Sequence, residues 1–148
     1  MKTRFKSSLK DKARFYEPLY KKNKGVFYRG VSGDKGVGVA ALGEGKYVTW
    51  DREMAEAFAK ISKEEHGGTP TVEAYKVDKD LILLDAQSKT MVDIKKSLGV
   101  KSYDKISDPI FAKALTYEIK EKGYDGVISD DKADGIVIFD DTKLHKIK

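Results

Sequence analysis

The chain has 148 residues, a formal net charge of +5, 36% charged and 40% apolar residues, and no cysteine. Its length and apolar content fit one domain with one core and not a disordered chain. The missing cysteines exclude disulfides, thiolate zinc sites and a cysteine nucleophile, and no apolar run approaches the roughly 18 residues of a membrane helix.

No apolar segment follows the basic N-terminus, so no secretory signal is read. The expected location is the cytoplasm, with no membrane partner. The excess charge is concentrated in residues 1–24, where Lys2, Arg4, Lys6, Lys10, Lys12, Arg14, Lys21, Lys22 and Lys24 face only Asp11 and Glu17. Such an arm suits a polyanion; the plainer reading is a solvated helix face. The expected organisation is a single domain over 1–148, with a basic helical arm over 1–24 and a core over 25–148.

Residues 3–22 predict a helix: Phe5, Leu9, Ala13, Tyr16 and Tyr20 form its stripe, and Pro18 is expected to kink or end it. A turn at 23–25 leads into the short strand "VFYRG". The glycine-rich stretch "SGDKGVGVAALGEG" predicts a loop, and "KYVTW" a second strand. Asp51 then caps a helix whose stripe is read as Met54, Phe58 and Ile61. "TVEAYKV" and "LILLDA" predict strands, and residues 88–106 helix and loop with Met91, Ile94 and Leu98 on one face. The next helix starts at Asp108 and Pro109, carries Phe111, Leu115 and Ile119 on one face and closes at Gly123. "YDGVIS", the acidic turn "DDKAD" and "GIVIF" complete the pattern, followed by the tail "DDTKLHKIK". Tyr124 reads as packing with its hydroxyl at the surface. Helices and strands without regular alternation predict an α+β domain.

Few familiar constellations fit. His66 and His145 lack partners at metal-ligand spacing, and both read as surface residues, so no metal is expected. No G-x-S-x-G elbow is present. Gly36, Gly38 and Ala41 form a G-x-G-x-x-A string, but no strand directly precedes it and no helix directly follows, so it is not a dinucleotide-binding turn. "DDKAD" lacks the remainder of a calcium loop.

Three stretches stand in a telling order: "FYRG", "GEGKYVTWDREMAEAFA" and "GYDGVISDDKADGIVIFDDTKL". Together they resemble the ADP-ribosyltransferase-like fold family, close to its small phage and bacterial members and more distantly similar to poly-ADP-ribose polymerases. The resemblance implies a split mixed sheet with flanking helices and NAD bound in a cleft between two small sheets. It implies a glycosyltransferase acting on NAD, with a protein or nucleic-acid acceptor. Arg29 takes the position of the family's phosphate- or ribose-binding Arg, Gly30 lets the backbone approach the ligand, Tyr47 is the platform for the nicotinamide ring and Thr49 the hydroxyl of the second motif. A planar guanidinium suits phosphate and ribose oxygens, and an aromatic face suits a flat ring. Without a ligand, Arg29 would pair with an acid such as Asp51 or Asp85, and Tyr47 would belong to the core.

The third motif departs from the family. Aligning "IVIFD" on its closing strand puts Gly135 where the catalytic Glu stands. Asp134, one residue upstream, is the candidate catalytic acid, with Asp130 and Asp131 on the same loop. Two expectations result: a transferase working through Asp134, or an inactive nucleotide-binding or structural module on the same fold, for example in a phage particle or as an inhibitor.

Overall fold

The computed structural model describes residues 11–33, 35–36, 42, 45–99, 109–130 and 135–147. Among the described residues the first helix, α1 (Tyr16–Lys22), carries Pro18 in the opening turn. A proline is tolerated there because the first N–H groups of a helix have no internal partner to lose. Pro18 therefore neither kinks nor ends the helix. The helix expected over 3–22 is also shorter at the front, as far as the described residues reach. Lys12 bridges Leu84, and the Ala13 N–H donates to the Leu83 carbonyl at 2.8 Å. This piece runs along a sheet edge instead of coiling.

The elements that follow are β1 (Val26–Ser32), β2 (Lys46–Val48), α2 (Arg52–His66), β3 (Pro70–Val77), β4 (Leu83–Asp85), α3 (Lys89–Ser97), α4 (Pro109–Glu121), β5 (Gly126–Ile128), β6 (Ile136–Ile138) and β7 (Leu144–Ile147). They build two sheets, ordered β1-β3-β7 and β2-β6-β5-β4. Every pairing is antiparallel except β4 with β5. The α+β class expected from the sequence is what the chain adopts. The C-terminal segment, read as a tail, is instead a strand: Leu144 pairs with Val77 and turns its side chain into the core. One inward leucine in four residues is too short a pattern to register as alternation.

One core lies between the two sheets. Phe27, Tyr75, Val77 and Leu144 from the first meet Val48, Leu83, Ile128, Ile136 and Ile138 from the second. The other face of the second sheet, with Leu84, Val127 and Val137, packs on Met91, Ile94, Leu115 and Ile119 of α3 and α4. Tyr124 packs in this second core, as expected, and is 3% exposed. Burial raises its pKa first, with the nearby Asp11 charge adding to it.

Helix α2 covers the outer face of the first sheet. Asp51 caps it as expected, accepting from the Glu53 and Met54 N–H groups. Its buried stripe is not Met54, Phe58 and Ile61, however, but Ala55, Ala59 and Ser62; Ile61 is 41% exposed. Small residues face inward because the helix backbone lies directly on β1. A Cβ built on Gly30 would stand 1.9 Å from the Ala55 carbonyl oxygen and 2.6 Å from the Ala59 nitrogen. Only a glycine admits that approach.

Candidate functional site

Strands β1 and β2 touch at one point. Tyr28 and Thr49 exchange both backbone hydrogen bonds, each 2.8 Å, and beyond this pair the strands belong to different sheets. Four residues further along β1, Ser32 exchanges bonds with Lys35 at 2.9 and 3.2 Å. Alternate residues of a strand send their N–H and C=O groups to the same edge. Gly30, between Tyr28 and Ser32, therefore directs both of its backbone groups to the β2 side of β1, away from β3. Among the described residues neither group meets a partner.

This seam sorts the expected site residues. Arg29 projects from β1 on the same side as Phe27, toward the second sheet, while Gly30 turns its α-carbon to α2. Tyr47 alternates with Lys46 and Val48 and lies on the opposite side from Val48: its ring packs against the core with α3 and α4, and its hydroxyl accepts from the Leu42 N–H at 2.9 Å. Arg29 and Tyr47 thus flank the seam from opposite sides and do not line one wall together. Thr49 is 1% exposed, and its Oγ1 accepts from the Asp51 N–H at 3.3 Å. Its hydroxyl supports the turn into α2. Asp134 and Asp131 lie outside the described residues; Asp130 is exposed.

Position 135 is closed to a side chain. Gly135 has φ +63°, and a Cβ there would be 2.4 Å from the Val48 carbonyl oxygen. The backbone at the end of β2 occupies the space that a glutamate stem would need.

The acids proposed as partners of Arg29 are engaged elsewhere. Asp51 caps α2, and Asp85 accepts from the Gln87 N–H at 2.9 Å. The acid facing Arg29 is Glu73, its direct neighbour across the β1–β3 register. Such cross-strand pairs share a face, so Arg29, Glu73 and Tyr75 lie together, and Lys146 joins them opposite Tyr75. Glu73 accepts from the Tyr75 hydroxyl at 2.7 Å and from Lys146 at 2.9 Å, with its side chain 15% exposed. Burial pushes its carboxyl up, but the Tyr75 and Lys146 hydrogen bonds and the Lys146 and Arg29 charges outweigh it and hold it below its ordinary value. Lys46 reaches in from β2, its Nζ 6.0 Å from the Tyr75 ring centre. Gly36 lays its backbone on the Arg29 guanidinium: a Cβ there would be 3.0 Å from a guanidinium nitrogen.

Glu73, Lys46 and Lys146 were not singled out from the sequence. The available signal was "TVEAYKV", where strand alternation places Glu73 on the same face as Tyr75 and Val77. An acid on an apolar face calls for a partner. On the other side of the sheet, an open groove of about 700 Å³ runs past Lys22, Lys24, Tyr28, Trp50 and Arg52, with the Arg52 guanidinium 5.5 Å over the Tyr28 ring. The end of the basic arm arrives here.

The seam thus offers a backbone donor and acceptor at Gly30, a guanidinium and an ammonium on one side, and a partly buried carboxylate beside them. No protein-family model, no curated protein and no solved structure matches the chain.

Proposed function

We propose that the chain binds NAD at the β1–β2 seam and acts as an ADP-ribosyltransferase-like protein, transferring ADP-ribose to a macromolecular acceptor through an acid other than the family's glutamate. The observation that carries this reading is the edge at Gly30, whose N–H and C=O meet no partner among the described residues. A planar carboxamide has one donor and one acceptor side by side, the complement of the Gly30 C=O and N–H. Arg29 and Lys46, on the neighbouring strands, supply the positive charge that a diphosphate needs. The similarity of "FYRG" and "GEGKYVTW" to the family's motifs supports the same ligand. The adjoining groove sets Lys22, Lys24 and Arg52 against Asp51 and Glu53, a small positive excess that favours a polyanionic acceptor.

A second reading, binding without turnover, is favoured by the closed position at Gly135. One experiment separates the two. Incubation with NAD carrying labelled nicotinamide, with protein and nucleic-acid acceptors present, yields free nicotinamide if the chain is a transferase. Stabilisation of the fold by NAD without nicotinamide release assigns a binding module. Absence of both at millimolar NAD removes the proposal.

A further inference from the structure

The position aligned with the family's catalytic glutamate is sterically shut, yet a carboxylate stands beside Arg29 on the neighbouring strand. Resting on the NAD reading above, we propose that Glu73 is the catalytic carboxylate of this chain, the group that meets the ribose of a ligand held by Arg29.

Three observations carry it. Glu73 and Arg29 are directly paired across β1 and β3 and share a face, which brings their Cβ atoms to about 5 Å. A ligand that reaches the guanidinium therefore reaches the carboxylate. Glu73 is also positioned: one oxygen accepts from Tyr75 at 2.7 Å, the other from Lys146 at 2.9 Å. Each carboxylate oxygen keeps a further lone pair for a ribose hydroxyl or an acceptor proton. Finally, the groups around it are Arg29 on its partner strand, Lys146 on β7, Lys46 reaching in from β2 and the Tyr75 hydroxyl. All the charges among them are positive, so the carboxylate is ionised at neutral pH, as a group that offsets a developing cation must be.

The step balances as follows. The bond between ribose C1′ and the pyridinium nitrogen breaks, and both its electrons leave with neutral nicotinamide. The ribose is left as an oxocarbenium ion whose charge Glu73 offsets. A lone pair of the acceptor's oxygen or nitrogen forms the new bond to C1′, and the acceptor's proton passes to Glu73 and on to water. With water as the acceptor the product is free ADP-ribose.

The test compares Glu73→Gln, Glu73→Asp and Lys146→Met in the full chain, reading nicotinamide release, the thermal midpoint and the shift of that midpoint with NAD. Glu73→Gln is expected to lose roughly a hundredfold or more in kcat while keeping its NAD-induced thermal shift. Glu73→Asp keeps the carboxylate and is expected to recover part of the loss. Lys146→Met removes the ion pair but not the acid. It is expected to lose part of kcat at pH 7, less than Glu73→Gln, because a hydrogen bond that positions the acid is gone while the acid remains, and to move the acid limb of the kcat profile to higher pH, since a stabiliser of the charged form is gone. Equal losses in Glu73→Gln and Lys146→Met would make the pair structural and overturn the inference. So would a Glu73→Gln protein as active as wild type, or loss of turnover in Asp134→Asn alone. If wild type binds NAD but releases no nicotinamide, the catalytic inference falls and the binding function stands; if it does neither, both fall.

Discussion

Gly135→Glu lowers the thermal midpoint by roughly 6–12 °C and gives no more NAD turnover than wild type. The expectation follows from two separate costs. A left-handed backbone at φ +63° costs an L-residue with a Cβ about 1–2 kcal/mol. The Cβ itself falls 2.4 Å from the Val48 carbonyl oxygen, so the end of β2 must move, and overpacking of this kind costs about 1–3 kcal/mol. A total near 3 kcal/mol corresponds to that shift for a domain of this size. Differential scanning calorimetry with a nicotinamide-release assay checks both halves. A stable Gly135→Glu protein with enhanced turnover would mean that the loop can present an acid at 135, and that its closure by β2 is not a fixed property of the fold.

Gly30→Ala is the second large effect. Gly30 carries no positive φ, so strain is not the cause. The added methyl falls 1.9 Å from the Ala55 carbonyl oxygen. That atom is helix backbone, so no side chain can rotate away, and truncating Ala55 to glycine brings no relief. Helix α2 must lift from β1, and with it Ala55 and Ala59 leave their contacts. The expected loss is about 3 kcal/mol or more. Because α2 backs the edge at Gly30, NAD-induced stabilisation is expected to disappear along with it. Gly33→Ala is the control: its φ is +66° but nothing lies within 4 Å, so it costs only about 1 kcal/mol. Urea unfolding of the three proteins reads the difference, and a Gly30→Ala midpoint equal to that of Gly33→Ala would contradict the packing described here.

The part of this architecture legible in the sequence was the part written in short-range pattern. Asp51 at the head of α2 and the Phe111, Leu115, Ile119 stripe of α4 rest on neighbours three or four residues apart, and both hold. What failed depended on distant residues. The inward stripe of α2 shifts from Met54, Phe58 and Ile61 to Ala55, Ala59 and Ser62 because Gly30, far away in the chain, draws the helix backbone onto the strand. Pro18 lost its expected role because the helix begins beside it, the chain before it being held to β4. The candidate site divides in the same way. Arg29 and Gly30 were found as a dipeptide ending an apolar run. The separation of Arg29 from Tyr47 follows from the β1–β2 pairing at Tyr28 and Thr49, which no local pattern encodes. Glu73 becomes notable only once β3 is known to pair with β1 in the register that sets it against Arg29.

The most direct test of NAD binding at the seam is an NMR titration of uniformly ¹⁵N-labelled protein with NAD. Glycine amides resonate in a sparsely populated region of the spectrum, and the Gly30 N–H points to the β2 side of β1. The expected result is a saturable displacement of the Gly30 amide, accompanied by the Arg29 side-chain NεH signal, with residues of α3 and α4 unmoved. A spectrum in which Gly30 and Arg29 stay fixed at millimolar NAD, whether or not signals shift elsewhere, would contradict it.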